Sequence, residues 1–134
     1  MNENKKKILV VDDEPDIVRM IKMRLEANGY DVLTASDGNT AYKKVKSDSP
    51  DSIVLDLMLP GMDGYHVCRL LKFDEKYRHI PIMMLTAKGR KEDKMLGEKV
   101  GADFYMTKPF EAKELLDKIK ELLESANAAK RKDN

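Results

Sequence analysis

Four short stretches hold the residues best able to do chemistry: Asp12-Asp13-Glu14, Asp56, Thr86-Ala87 and Lys108-Pro109. Each follows an apolar run, and none contains histidine or cysteine. Gathered on one rim, they would bring together carboxylates, a hydroxyl and an ammonium. Crowded carboxylates repel one another, so they titrate abnormally or recruit a cation. Lys108 supplies one positive charge. A divalent ion would supply the rest, and oxygen-only ligands favour Mg²⁺ or Mn²⁺ over zinc. Mg²⁺ keeps several waters, takes one or two carboxylates and bridges to phosphate oxygens. A hydroxyl and a lysine suit the charge on a phosphoryl group in transfer. A carboxylate can itself be the nucleophile, giving an aspartyl phosphate. The residues predict a Mg²⁺-assisted phosphoacceptor aspartate.

The elements that must position them are legible in the apolar pattern. Runs at Ile8–Val11, Val32–Ala35, Ile53–Leu55, Ile80–Leu85 and Phe104–Met106 recur at wide, fairly even intervals. Most are continuous rather than alternating, as in parallel strands buried on both faces. Segments of helical spacing separate them. The first places Ile17, Ile21 and Leu25 on one face, has Pro15 near its start and closes on Asn28-Gly29. The second, about 38–47, carries Ala41 and Val45. The third begins near Asp63 with Val67, Leu70 and Leu71. The fourth, about 90–100, is the most polar, and the fifth runs from Glu111 to about Ser125 with Leu115, Ile119 and Leu122-Leu123 inward. The alternation predicts an α/β protein, a doubly wound five-stranded parallel sheet with five helices and right-handed crossovers. Ligands of such sheets sit beyond the carboxyl ends of the strands, where the chemical residues fall. Residues 1–5 are expected to be disordered, and residues 125–134, basic and without an apolar face, to fray.

The chain has 134 residues, 25 Lys+Arg, 24 Asp+Glu, one cysteine and no tryptophan. That length suits one domain. The net charge of +1 argues against a general nucleic-acid glove. No apolar run approaches the ~20 residues of a membrane span. A single thiol, Cys68, forms no internal disulfide, so a reducing, cytoplasmic setting is expected.

Val10-Val11-Asp12-Asp13-Glu14-Pro15, Val54-Leu55-Asp56-Leu57-Met58-Leu59-Pro60-Gly61-Met62-Asp63-Gly64, Leu85-Thr86-Ala87 and Lys108-Pro109-Phe110 together resemble the receiver domain of two-component response regulators. Within that family the chain resembles the chemotaxis regulators. The likeness covers about residues 6–124. It implies a flavodoxin-like sheet of strand order 2-1-3-4-5. It also implies that Asp56 accepts phosphoryl from a phosphohistidine on a histidine kinase or phosphotransfer protein. Asp13, Asp56 and the backbone carbonyl of Met58 would hold Mg²⁺ directly, and Asp12 through a water. Lys108 would contact a phosphoryl oxygen, across a cis Lys108–Pro109 bond. Thr86 and Tyr105 match the switch pair of the family, whose movement changes a protein-binding surface. Such a domain catalyses only its own phosphorylation and dephosphorylation, and is not otherwise an enzyme.

Other residues invite plainer readings. Asp63 is expected to cap the third helix rather than join the chemistry. His66 and His79 lack metal-ligand spacing and should be surface residues, while Cys68 fills core space. Met83, Met84 and Met106 should pack in strands. Met20 and Met23 lie on the first helix, the kinase-docking element of the family, where core packing is an equal alternative. Met58 and Lys88 should flank the phosphoryl group and hinder an attacking water, leaving the acyl phosphate long-lived. A Mg²⁺-dependent phosphatase with an aspartyl-phosphate intermediate is the nearest rival, but it would carry an acid at position 58. A flavin carrier would need hydroxyls and backbone donors where Asp12-Asp13-Glu14 stands. With no recognition module after the last helix, the chain is expected to be a stand-alone receiver acting on a downstream effector protein, without direct nucleic-acid contact or membrane insertion. The stretch around Phe110 also resembles dimerising regulators, so a phosphorylation-dependent homodimer is a further expectation. Unchanged sedimentation with beryllofluoride would refute it.

Overall fold

The computed structural model describes residues 5–87 and 101–132. Five parallel strands, β1 (Lys7–Val11), β2 (Asp31–Ala35), β3 (Ser52–Asp56), β4 (Ile82–Ala87) and β5 (Phe104–Lys108), form one sheet in the order 2-1-3-4-5. Four helices are described: α1 (Pro15–Ala27), α2 (Gly38–Asp48), α3 (Gly64–Lys72) and α4 (Ala112–Lys132). The helix expected over 90–100 and the site position Lys88 lie outside the described residues. So do residues 1–4, most of the expected N-terminal tail.

Alternation along the buried strands divides the core in two. Leu9, Val11, Ile53, Leu55, Ile82 and Met84 face α2 and α3, which return Ala41, Val45, Val67, Cys68 and Leu71. Ile8, Val10, Val54, Met83 and Leu85 face the opposite layer, where Ile21 and Leu25 of α1 meet Leu115 and Ile119 of α4. These side chains are fully buried, and each Val, Leu, Ile or Met among them is worth roughly 1.5–3 kcal/mol of transfer free energy. β3 is central, paired with β1 and β4, so every one of its residues, Asp56 included, is buried.

Local chemistry sets the element ends. Pro15 opens α1 at a position where the missing N–H is harmless. The Asp37 carboxylate accepts from Thr40 N (2.7 Å) to cap α2, and Asp63 caps α3 by accepting from His66 N (2.9 Å), the role expected of it. β4 begins at Ile82 rather than Ile80, because Pro81 has no N–H for the ladder; its carbonyl still accepts from Ile53 N. α4 runs on to Lys132, beyond Ser125 where the apolar stripe stops. Alanines and lysines of high helix propensity continue it past that point.

One ion pair ties the lower edge together. Lys72, the last residue of α3, places its Nζ 2.6 Å from Asp103 Oδ2, 2.8 Å from the Ile80 carbonyl and 3.1 Å from that of Arg78. Asp103 in turn accepts from Ile82 N at 2.8 Å. Helix α3, the loop into β4 and the start of β5 thus share one ammonium. Lys72→Met is expected to destabilise the fold by about 1–3 kcal/mol, by leaving these acceptors without their donor. The measurement is the denaturant midpoint at constant slope; an unmoved midpoint would show that the clamp contributes nothing.

Candidate functional site

The carboxyl ends of β1, β3 and β5 converge. Asp12 follows β1 directly and is held there by its own N–H, which donates to the Ala35 carbonyl at 3.2 Å. Its side chain is buried: Oδ1 accepts from Glu14 N at 2.9 Å, and Oδ2 accepts from Lys108 Nζ at 2.9 Å. Asp56 ends β3 at 5% exposure, with Oδ1 accepting from Met58 N at 3.3 Å and Oδ2 lying 3.4 Å from Lys108 Nζ. Lys108 ends β5 and also reaches Glu14 Oε1 at 3.4 Å. Oxygens of Asp12, Asp13 and Asp56 all lie within 4.8 Å of one another, with Asp13 exposed. The structure therefore brings together Asp12, Asp13, Asp56 and Lys108, and the Lys108–Pro109 peptide bond is cis.

Electrostatics follow from this crowding. Burial, then the charge of Asp12, pushes the Asp56 carboxyl up to about 6, against the opposing pull of Lys108 and the Met58 N–H. Burial works against the Lys108 ammonium, but its hydrogen bond to Asp12 and the charges of Asp56, Asp12 and Glu14 prevail, and its pKa is raised. Three close carboxylates against one ammonium leave a net negative site. The donors are oxygens only, so the residues fit a hard divalent cation such as Mg²⁺.

The other expected site residues occupy the rim. Thr86 is buried on β4, one residue beyond Leu85, the register partner of Asp56. Tyr105 is half-buried on β5 and packs against the α2–α3 side of the core. Met58 is 59% exposed although its N–H is fixed on Asp56. His66 and His79 are exposed, Cys68 is fully buried, and burial pushes its thiol up to about 12. Met83, Met84 and Met106 pack in the core. On α1, Met20 is partly buried against it while Met23 is exposed.

Two contributors were not foreseen. Glu14 was counted only as acidic, whereas it shares the Lys108 ammonium. The second is a backbone interlock around residues 57–63. A methyl at Gly64 would overlap the Asp56 carbonyl oxygen and stand 2.9 Å from Leu57 Cα, and one at Gly38 would overlap the Met62 carbonyl. The sequence signal for the interlock was Gly64 directly after a capping aspartate, a close approach only glycine permits.

This geometry meets its relatives in both sequence and shape. A family model described as response regulator receiver domain matches residues 8–120, and the chain belongs to that family. It is 51% identical over 124 residues to the alkaline phosphatase synthesis transcriptional regulatory protein PhoP of Bacillus subtilis, covering 92% of this chain and 51% of that protein. The chain thus spans about half the length of that curated relative. Among solved structures, the chemotaxis response regulator CheY4 of Vibrio cholerae superposes with a TM-score of 0.83 at 34% identity, covering 89% of this chain and 99% of that one. The signal receiver domain of a signal transduction histidine kinase from Syntrophus aciditrophicus gives 0.85 at 34% identity, over 90% and 91% of the two chains. The cluster of Asp12, Asp13 and Asp56 matches the acidic pocket at which receiver domains bind Mg²⁺. No described helix is long and apolar enough to cross a membrane.

Proposed function

We propose that Asp56 is the phosphoacceptor of a signalling switch. The observation that carries this reading is a buried Asp56 with Lys108 Nζ 3.4 Å from one carboxylate oxygen and carboxylates of Asp12 and Asp13 beside it. The ionised Asp56 oxygen attacks phosphorus of a phosphohistidine donor; a phosphorus–oxygen bond forms as the phosphorus–nitrogen bond breaks, and the imidazole leaves with its electron pair. Lys108 follows the charge, since its ammonium already reaches the acceptor oxygen and is shared among Asp12, Glu14 and Asp56. Asp13, Asp56 and the Met58 carbonyl would hold Mg²⁺, with Asp12 acting through a water. Both Asp12 oxygens are already engaged by Lys108 and Glu14 N, which supports the indirect role. When bound, the ion neutralises phosphoryl oxygens.

The residues 6–124 make up this switch in our reading, in the cytoplasm. Thr86 supplies a hydroxyl to the new phosphoryl group, and Tyr105 turns inward on the same side of the sheet. The output is a protein contact. A stand-alone receiver and a receiver joined to an output module differ only downstream of that contact. The greater length of the curated relative, named as a transcriptional regulator, favours considering the second.

The test is incubation with acetyl phosphate and Mg²⁺, followed by intact mass and peptide mapping. A single phosphoryl adduct on the peptide holding Asp56 is expected; no adduct, or one elsewhere, overturns the reading. Met58→Asn is expected to shorten the adduct lifetime by about tenfold, by replacing an apolar rim with one that can orient water. An unchanged lifetime would show that Met58 does not shield the phosphoryl group.

A further inference from the structure

We infer that Met58 is a redox-sensitive modification site whose oxidation shortens the life of the phosphoryl group on Asp56. The inference rests on the phosphoacceptor reading above. Of the methionines in the described residues, Met58 and Met23 are largely exposed, at 59% and 62%, whereas Met83, Met84 and Met106 are buried and Met20 and Met62 are partly covered. Thioether oxidation follows exposure. Met23 lies on α1, with its side chain away from the core. Met58 differs in where it is held: its N–H donates to Asp56 Oδ1 at 3.3 Å, which anchors the residue beside the acceptor carboxylate. Its neighbours Leu57 and Leu59 are buried, the Asp56–Leu57 backbone lies against Gly64, and Met62 lies against Gly38. The backbone on both sides of Met58 is thus held, and a modified side chain remains attached two residues from Asp56.

The oxidant class is a peroxide. The thioether sulfur attacks one peroxide oxygen; the sulfur–oxygen bond forms, the oxygen–oxygen bond breaks, and the displaced oxygen leaves as water after taking the proton of the transferred hydroxyl. Sulfur is oxidised and peroxide reduced. The product exchanges a flexible apolar group for a polar, chiral sulfoxide, and reductases reverse it. A sulfoxide oxygen is a strong acceptor, able to orient a water where the thioether excluded one. The same side chain thereby changes from shield to water anchor.

The test treats the intact 134-residue chain with dilute hydrogen peroxide, maps sulfoxides by peptide mass, then forms the adduct with acetyl phosphate and follows its loss by intact mass. Met58 and Met23 should oxidise before Met83 and Met84, and oxidised protein should lose phosphoryl at least about threefold faster. Methionine sulfoxide reductase should restore the original lifetime. Met58→Leu, whatever its starting lifetime, should show no further change after peroxide, while Met23→Leu should stay sensitive. Oxidation of Met58 no faster than that of buried methionines would overturn the proposal. So would an unchanged lifetime with Met58 oxidised, or full sensitivity in Met58→Leu. Failure of untreated protein to take an adduct would instead sink the phosphoacceptor reading itself, and with it the effect on lifetime.

Discussion

Asp56→Asn is expected to lose the phosphoryl adduct entirely and, without Mg²⁺, to be more stable than the parent chain. The first effect removes the nucleophile: an amide offers no oxygen that can form the acyl phosphate under the same conditions. The second follows from the raised carboxyl. Folding lifts Asp56 from its ordinary value of 3.8 to about 6, so between those values the native state holds a proton that the unfolded chain has lost. The resulting stabilisation is complete below the unfolded pKa and disappears as pH rises through the folded one. Above it, the native state keeps a buried charge beside Asp12 that the unfolded chain places in water. Asparagine removes that penalty, worth about 1–3 kcal/mol after allowance for solvent and Lys108. Thermal unfolding should show the difference at about pH 8 and a much smaller one near pH 4. Added Mg²⁺ should raise the melting temperature of the parent more than that of the variant, because a ligand bound by the native state stabilises it by mass action. A variant less stable than the parent at about pH 8 would show that the crowding is already relieved in the native state.

Gly64→Ala is expected to cause the largest loss of stability, about 3 kcal/mol or more, together with weakened Mg²⁺ binding. The added methyl would overlap the carbonyl oxygen of Asp56 and press on Leu57 Cα at 2.9 Å. These are backbone atoms, so no side-chain rotation relieves the clash. Either α3 withdraws, opening the Val67, Cys68 and Leu71 contacts, or the end of β3 shifts and carries Asp56 with it. The Gly64 N–H, which donates to the Leu57 carbonyl at 3.0 Å, is strained in both cases. Denaturant midpoint and metal titration together read the two halves. Full stability with unchanged Mg²⁺ affinity would mean that the turn has slack the contacts do not suggest.

The sequence carried the strands and the acidic site for different physical reasons. Strands buried on both faces must be continuously apolar, so Ile8–Val11 and Ile53–Leu55 stood out without any partner in view. Asp12, Asp56 and Lys108 stood out because charged groups at the ends of such runs need a purpose or a partner. The capping role of Asp63 was legible because a cap is local, made within one helical turn. The Lys72 clamp was not. Two of its acceptors are backbone carbonyls, and its ion-pair partner, Asp103, belongs to another element. Gly38 was hidden similarly, since only the tertiary path of Met62 makes a methyl there impossible. The extension of α4 to Lys132 went unread because an apolar stripe marks where a helix packs, not where it ends.

The pairing of Lys108 with Asp12 spans 96 positions of the chain. The ammonium arrives on the last strand, after every carboxylate it serves has been synthesised. A chain still emerging from the ribosome, or cut short before β5, has the acids without the counter-charge and lacks the strand that borders β4. On the phosphoacceptor reading, the complete set of charges at the site belongs to the finished fold alone.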